Sequence, residues 1–223
     1  MMMQVKDVMG RVAIAVRQDA SFAELVATMQ RFKVGAVTVI DADRRPVGVV
    51  SEDDLLLKEI VDHPHGTALL PGRIRRRDRR KAAGTLASRL MTSPAITVTA
   101  GTPVREAARL MHAHRIKQLP VIDTVTGRIA GTVHQGDLLK IFLRPAADIR
   151  REVTAVLTRL GIPAEQITAG VRDGVVTLGG RVARCSQIAS LVAAVRAVEG
   201  VVEVEDDLTF QVDDLLTVPM PLL

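Results

Sequence analysis

Two stretches of this chain place a polar side chain three residues ahead of a carboxylate, where an apolar strand-like run gives way to a helix-like one. They read Gly48-Val49-Val50-Ser51-Glu52-Asp53-Asp54 and Gly131-Thr132-Val133-His134-Gln135-Gly136-Asp137. A carboxylate in such a turn accepts hydrogen bonds from hydroxyl and amide donors. The start of a helix favours negative charge, so the Ser51 hydroxyl sits where an anion can be held. The same spacing is an ordinary capping box, in which Ser51 and Asp54 satisfy the first helical amides, and both roles can hold at once. His134 is a poor cap, although a charged imidazole could contact an anion.

Other groups capable of chemistry are scattered. Cys185 is the only cysteine, so neither an intrachain disulfide nor a cysteine-based zinc site can form. It stands at the start of a helix-like segment with no histidine near it in sequence. His63 and His65 lie in a Pro/Gly-rich stretch, and His112 and His114 are two apart, on different faces of a helix. There is no phosphate-binding P-loop and no dinucleotide glycine fingerprint. These residues predict no catalytic site, no metal site and no obligatory cofactor.

Composition narrows the classes further. The 223 residues are 48% hydrophobic, enough to build cores, but only 2% aromatic, with no Trp or Tyr. Base-stacking platforms for nucleic acid cannot be assembled from four Phe. The net charge of +5 is concentrated in one run, Arg73, Arg75, Arg76, Arg77, Arg79, Arg80 and Lys81, and the remainder is slightly acidic. That run could bind nucleic acid or anionic lipid through phosphates, without sequence specificity, or serve simply as a solvated linker. The first nine residues include Lys6 and Asp7 and do not read as a signal peptide, and no apolar run approaches membrane-spanning length. The expected compartment is cytoplasmic.

The elements that must position the two turns are repeated. Ile14 recurs as Ile96, Met29 as Met111 and Val39-Ile40-Asp41 as Val121-Ile122-Asp123, each 82 residues on. After one inserted residue, Gly48 matches Gly131 and Asp54-Leu55-Leu56 matches Asp137-Leu138-Leu139. Each copy reads as strand, helix, strand, strand, helix. Ser21-x-x-Glu24 caps the first helix of copy one, while Thr102 is the expected cap in copy two, with Pro103 at the first helical position.

"DVMGRVAIAV…VTVIDADRRPVGVVSEDDLL" and "RLMTSPAITV…QLPVIDTVTGRIAGTVHQGDLL" resemble two tandem CBS domains, the pair often called a Bateman module. The resemblance implies an α/β (α+β) fold of two pseudo-symmetric β-α-β-β-α repeats and a homodimer. It also implies an adenosine-type regulatory ligand (AMP, ADP, ATP or similar) in clefts between the copies. It assigns ribose and phosphate contacts to Ser51, Asp54, His134 and Asp137, adenine contacts to Ile14 and Ile96, and phosphate-side contacts to Lys117 and Gln118. His134 departs from the family's hydroxyl, and in copy one Gly35-Ala36 replaces Lys117-Gln118. One good site, not two, is expected.

The last third changes pattern. Ile149, Val153, Val156, Leu157 and Leu160 fall at helical spacing up to a Gly161-Ile162-Pro163 stop, and an Asp173-Gly174 hairpin joins two strands. A helix over residues 185–198 and a final strand from Val201 follow. The motifs Val171-x-Asp-Gly174-Val-Val-Thr-Leu-x-Gly180 and Val198-Glu-Gly200-Val-Val resemble a BON domain, an α-β-β-α-β sandwich whose relatives are associated with phospholipid or envelope binding. The acidic patch Glu203, Glu205, Asp206 and Asp207 would repel anionic lipid, so a protein or ligand contact is expected here ahead of a membrane. The organisation expected is residues 1–62 and 86–145 as repeats, 63–85 as linker, 146–213 as third domain and 214–223 as tail.

Overall fold

The structure is a computed structural model that describes residues 2–62 and 84–215. The Arg73–Lys81 run, His63 and His65 lie outside the described residues. The chain divides into two compact units, residues 3–138 and the residues from Leu139 onward.

In the first unit each repeat builds a three-stranded sheet. Copy one opens with helix α1 (Val5–Val8), then β1 (Ala15–Arg17), α2 (Phe22–Phe32), β2 (Ala36–Ile40), β3 (Pro46–Ser51) and α3 (Glu52–Asp62). Copy two follows with α4 (Ala87–Leu90), β4 (Val98–Thr99), α5 (Val104–His114), β5 (Gln118–Ile122), β6 (Ile129–His134) and α6 (Gln135–Leu138). The central strand runs parallel to the first and antiparallel to the third in both sheets. The duplication extends to fine detail. α2 and α5 each end on a left-handed residue, Lys33 (φ 53°) and Arg115 (φ 55°). The ladders β2–β3 and β5–β6 slip at matching places, Val39/Ile40 and Val121/Ile122.

Period-two alternation sorts the strand residues. Val37, Val39 and Val50 bury toward Leu25, Met29 and Leu55 in copy one, and Leu119, Val121 and Val133 are fully buried in copy two. The opposite faces carry Ala36, Thr38, Val49 and Ser51 in one copy and Gln118, Pro120, Thr132 and His134 in the other.

The expected caps divide. Ser21 and Glu24 form the reciprocal box, with Glu24 N donating to Ser21 Oγ at 3.2 Å and Ser21 N to Glu24 Oε2 at 3.1 Å. In copy two Pro103 itself takes the cap position, and the Thr102 hydroxyl accepts instead from Thr99 N at 3.1 Å. Ile14 and Ile96 stand just before β1 and β4 rather than within them.

The opening helices are exchanged between repeats. Val5 N and Lys6 N donate to Thr102 O (2.8 Å) and Ala100 O (2.9 Å), so α1 docks on copy two. Ala87 N and Ser88 N donate to Ala20 O (2.8 Å) and Gln18 O (2.9 Å), and Ala87 and Leu90 join the core of copy one. Two glycines permit this crossing. A Cβ on Gly131 would stand 2.6 Å from the Gly10 carbonyl, and one on Gly48 would collide with the Met91 side chain.

The second unit begins with a 3-10 turn (Leu139–Leu143). It continues with α7 (Ala146–Arg159), a 3-10 turn (Ala164–Gln166), β7 (Ile167–Arg172), β8 (Val175–Arg184), α8 (Cys185–Arg196) and β9 (Glu203–Val212). β8 is central, antiparallel to β7 and parallel to β9. One core joins Val153, Leu157, Leu191 and Val195 from the helices to Val176, Leu178 and Val204 from the sheet. The hairpin forms as expected, with Asp173 (φ 51°) and Gly174 (φ 80°) both left-handed, the twist a two-residue hairpin needs. Glu203, Glu205, Asp206 and Asp207 are exposed on β9. Asp214 caps α8 from 28 residues away, its carboxylate accepting from Ser186 N at 2.9 Å and Ser186 Oγ at 2.6 Å. Those bonds hold the Asp214 carboxyl below its usual range.

Candidate functional site

A small, solvent-open cleft lies between the repeats. Copy one supplies Val12 and Ile14 from the segment leading into β1, and Val34 and Ala36 from the start of β2. Copy two supplies Gln118, Thr132 and His134 from β5 and β6. One wall is therefore aliphatic and the other carries amide, hydroxyl and imidazole groups. Among the described residues, no Lys, Arg, Asp or Glu lines it.

Backbone bonds hold both walls. Gly10 and Thr132 exchange hydrogen bonds (3.1 and 3.3 Å), which fixes the segment that carries Val12 alongside β6. Thr38 N donates to Ile14 O at 3.3 Å, placing Ile14 against β2. Gln118 and His134 are directly opposite each other in the β5–β6 ladder, so their side chains leave one face together. The turns are tied to the same strands, with Glu52 N bonded to Gly35 O and Gln135 N to Lys117 O, each at 2.9 Å.

Of the residues singled out from sequence, Ile14, Gln118 and His134 meet in this cleft. Ser51, Asp54, Ile96, Lys117 and Asp137 do not line it. Ser51 and Asp54 form the full capping box. Ser51 N and Oγ both donate to Asp54 Oδ2 at 2.9 Å, and Asp54 N donates to Ser51 Oγ at 3.3 Å. In the second turn His134 N donates to Asp137 Oδ2 at 3.0 Å. Lys117 is exposed and Ile96 is half-buried. Val12, Val34 and Thr132 escaped the sequence reading. Alternation from Ile14 and from His134 would have found Val12 and Thr132, since residues two apart share a strand face.

Among the described residues no group of three or more His, Cys, Asp or Glu side chains could hold a metal ion. No helix among them is long and apolar enough to cross a membrane. Cys185 is half-buried, and its thiol is pushed upward by burial and then by Asp213 and Asp214, the reverse of an activated nucleophile.

Two exchanged α/β repeats sharing a cleft, followed by a small α/β sandwich, define a tandem-repeat module with an appended domain. The CBS domain model matches residues 5–59 and 87–144, and the BON domain model matches residues 145–212. The chain belongs to the CBS domain family and carries a BON domain after its CBS pair. It is 28% identical over 158 residues to an uncharacterised protein of Methanocaldococcus jannaschii, covering 63% of this chain and 92% of that protein. Inosine-5'-monophosphate dehydrogenase of Streptococcus pyogenes matches at 24% identity over 127 residues, 56% of this chain but 21% of the enzyme. Among solved structures, CBSX2 in complex with AMP superposes with a TM-score of 0.53 at 26% identity, covering 63% of this chain and 96% of that one. The CBS domain pair of protein MJ0100, solved with 5'-methylthioadenosine and S-adenosyl-L-methionine, shares the fold at a TM-score of 0.50 and 19% identity, over 63% of this chain and 99% of that one.

Proposed function

We propose that this chain is a non-enzymatic regulatory protein that binds an adenosine-containing small molecule between its CBS repeats. The observation that carries this reading is the cleft at Ile14, with an aliphatic wall from one repeat and hydrogen-bonding groups from the other. A purine needs both, an apolar slot for its faces and polar partners for its edge. The cleft is open to solvent, so a base against its apolar wall would leave sugar and phosphate at the rim. The similarity to CBSX2, whose structure contains AMP, supports the ligand class. In this reading Gln118 and His134 are polar contacts and Asp137 reaches the ribose. Ser51, Asp54 and Ile96 belong to the equivalent, weaker cleft, and Lys117 steers anionic ligands from outside. Exposed Leu56 (57%) and Ile60 (64%) on α3 support self-association as a homodimer. The BON domain would pass the liganded state to a protein partner in the cytoplasm.

Dye-based thermal melting against adenine nucleotides tests this. A ligand at about 100 times its Kd adds roughly 2.7 kcal/mol, several degrees in midpoint for a chain of this size. AMP is expected to raise the midpoint, and Asp137→Ala to abolish the rise. A flat response across AMP, ADP, ATP and S-adenosyl-L-methionine, with melting still cooperative, would refute the reading.

A further inference from the structure

We infer that His134 sets which adenosine ligands the Ile14 cleft prefers: phosphorylated ones when its imidazole is protonated, and phosphorylated and unphosphorylated ones alike when it is neutral. The inference rests on the adenosine reading of that cleft and adds the discriminating group.

His134 is the only ionisable side chain among the cleft-lining residues. Its neighbours Gln118 and Thr132 can bond to a base or a sugar but supply no charge. The opposing wall of Val12, Ile14, Val34 and Ala36 offers a phosphate nothing. His134 uses its backbone N–H for the turn, bonding Asp137 at 3.0 Å. Its imidazole makes no hydrogen bond to any described residue, so the ring is not committed to the fold as the Ser51 hydroxyl is.

Charged groups stand on the surrounding elements: Arg11 lies between Gly10 and Val12, and Lys33 precedes Val34, both exposed. Asp137 lies in the same turn as His134. Lys117 precedes Gln118 on β5 and is exposed. Glu52, at the start of α3, has its carboxylate by Gly35, where a Cβ would be 3.1 Å from Oε2. An imidazole is the side chain that changes charge between about pH 6 and pH 8. A charged donor to phosphate is stronger than a neutral one by enough to change affinity roughly tenfold.

Calorimetric titration of the full chain with adenosine and with AMP, at about pH 6 and about pH 8, tests the inference. The ratio of the two affinities should rise roughly tenfold toward AMP at the lower pH in the native chain. It should stay flat in His134→Gln, which keeps a neutral donor. Protonation of the AMP phosphate is common to both proteins and cancels in the comparison. An equal rise in His134→Gln overturns the assignment. If the native chain binds neither compound at either pH, the adenosine reading of the cleft fails, and this inference with it.

Discussion

Ser51 and His134 occupy the same place in the two repeats, opposite Ala36 and Gln118 in their ladders. Yet the two turns are held together differently. In the first, Ser51 Oγ donates to the Asp54 carboxylate, which also accepts from Ser51 N, and Asp54 N donates back to the hydroxyl. In the second, His134 reaches the carboxylate through its backbone N–H, and its imidazole borders the cleft. Duplication supplies two copies of one scaffold, and a single residue at a helix start then decides whether that position serves the fold or faces a ligand. The loss of a cap costs about 1 kcal/mol, a small penalty beside the stability of a domain, so such a position can diverge.

Substitutions at matched positions can break or sharpen that contrast. The largest effect is expected at the crossing glycines. Gly131→Ala drives a methyl into the Gly10 carbonyl, which its paired bonds to Thr132 hold in place, and should cost roughly 3 kcal/mol. Gly48→Ala meets the Met91 side chain, which can turn away, and should cost about 1 kcal/mol. Urea denaturation followed by circular dichroism compares the two, and equal costs would remove the distinction between the crossings.

Next comes Ser51→Ala, expected to lower stability by about 1 kcal/mol through its lost cap, again read by denaturation. His134→Ser should do the opposite, restoring a cap and gaining a few tenths of a kcal/mol. A net loss there would mean that the imidazole contributes more to the fold than its geometry indicates.

The smallest effect lies in the turns after β2 and β5. Asp41 Oδ1 accepts from Asp43 N (2.9 Å) and Arg45 N (2.8 Å), whereas Asp123 Oδ1 accepts from Thr126 N (2.8 Å), Thr126 Oγ1 (2.9 Å) and Val125 N (3.1 Å). The Thr126 N–H, and after it the Thr126 hydroxyl and the Val125 N–H, hold the Asp123 carboxyl below its usual range. A carboxyl lowered in the folded state lends stability that is complete above its unfolded value, about pH 4, and is lost as pH falls through the folded one. The native chain should therefore lead Asp123→Asn in midpoint at neutral pH, with the gap closing as pH falls below about 4. A gap that persists in acid would assign the effect to shape and not to charge.

Much of this was legible in the chain itself. Registration at 82 residues exposed the two copies. The Asp-Gly pair marked the hairpin of the third domain. The Ser51 and Ser21 boxes were visible because their partners lie three residues away. The cap of α8 was not, because Asp214 arrives from 28 residues downstream. Thr102 misled because a hydroxyl beside a proline had another donor in reach, Thr99 N.

By itself, then, the sequence determined the repeat, the order of its elements and the residue types at each turn. Which of those residues share a cleft was decided only by the tertiary structure. The opening helices cross between the copies, and the paired Gly10–Thr132 bonds bring the Val12–Ile14 segment of one repeat against the Gln118–His134 face of the other. Such pairings join residues more than 100 positions apart. No local periodicity encodes them, since they follow from how two folded surfaces bury one another.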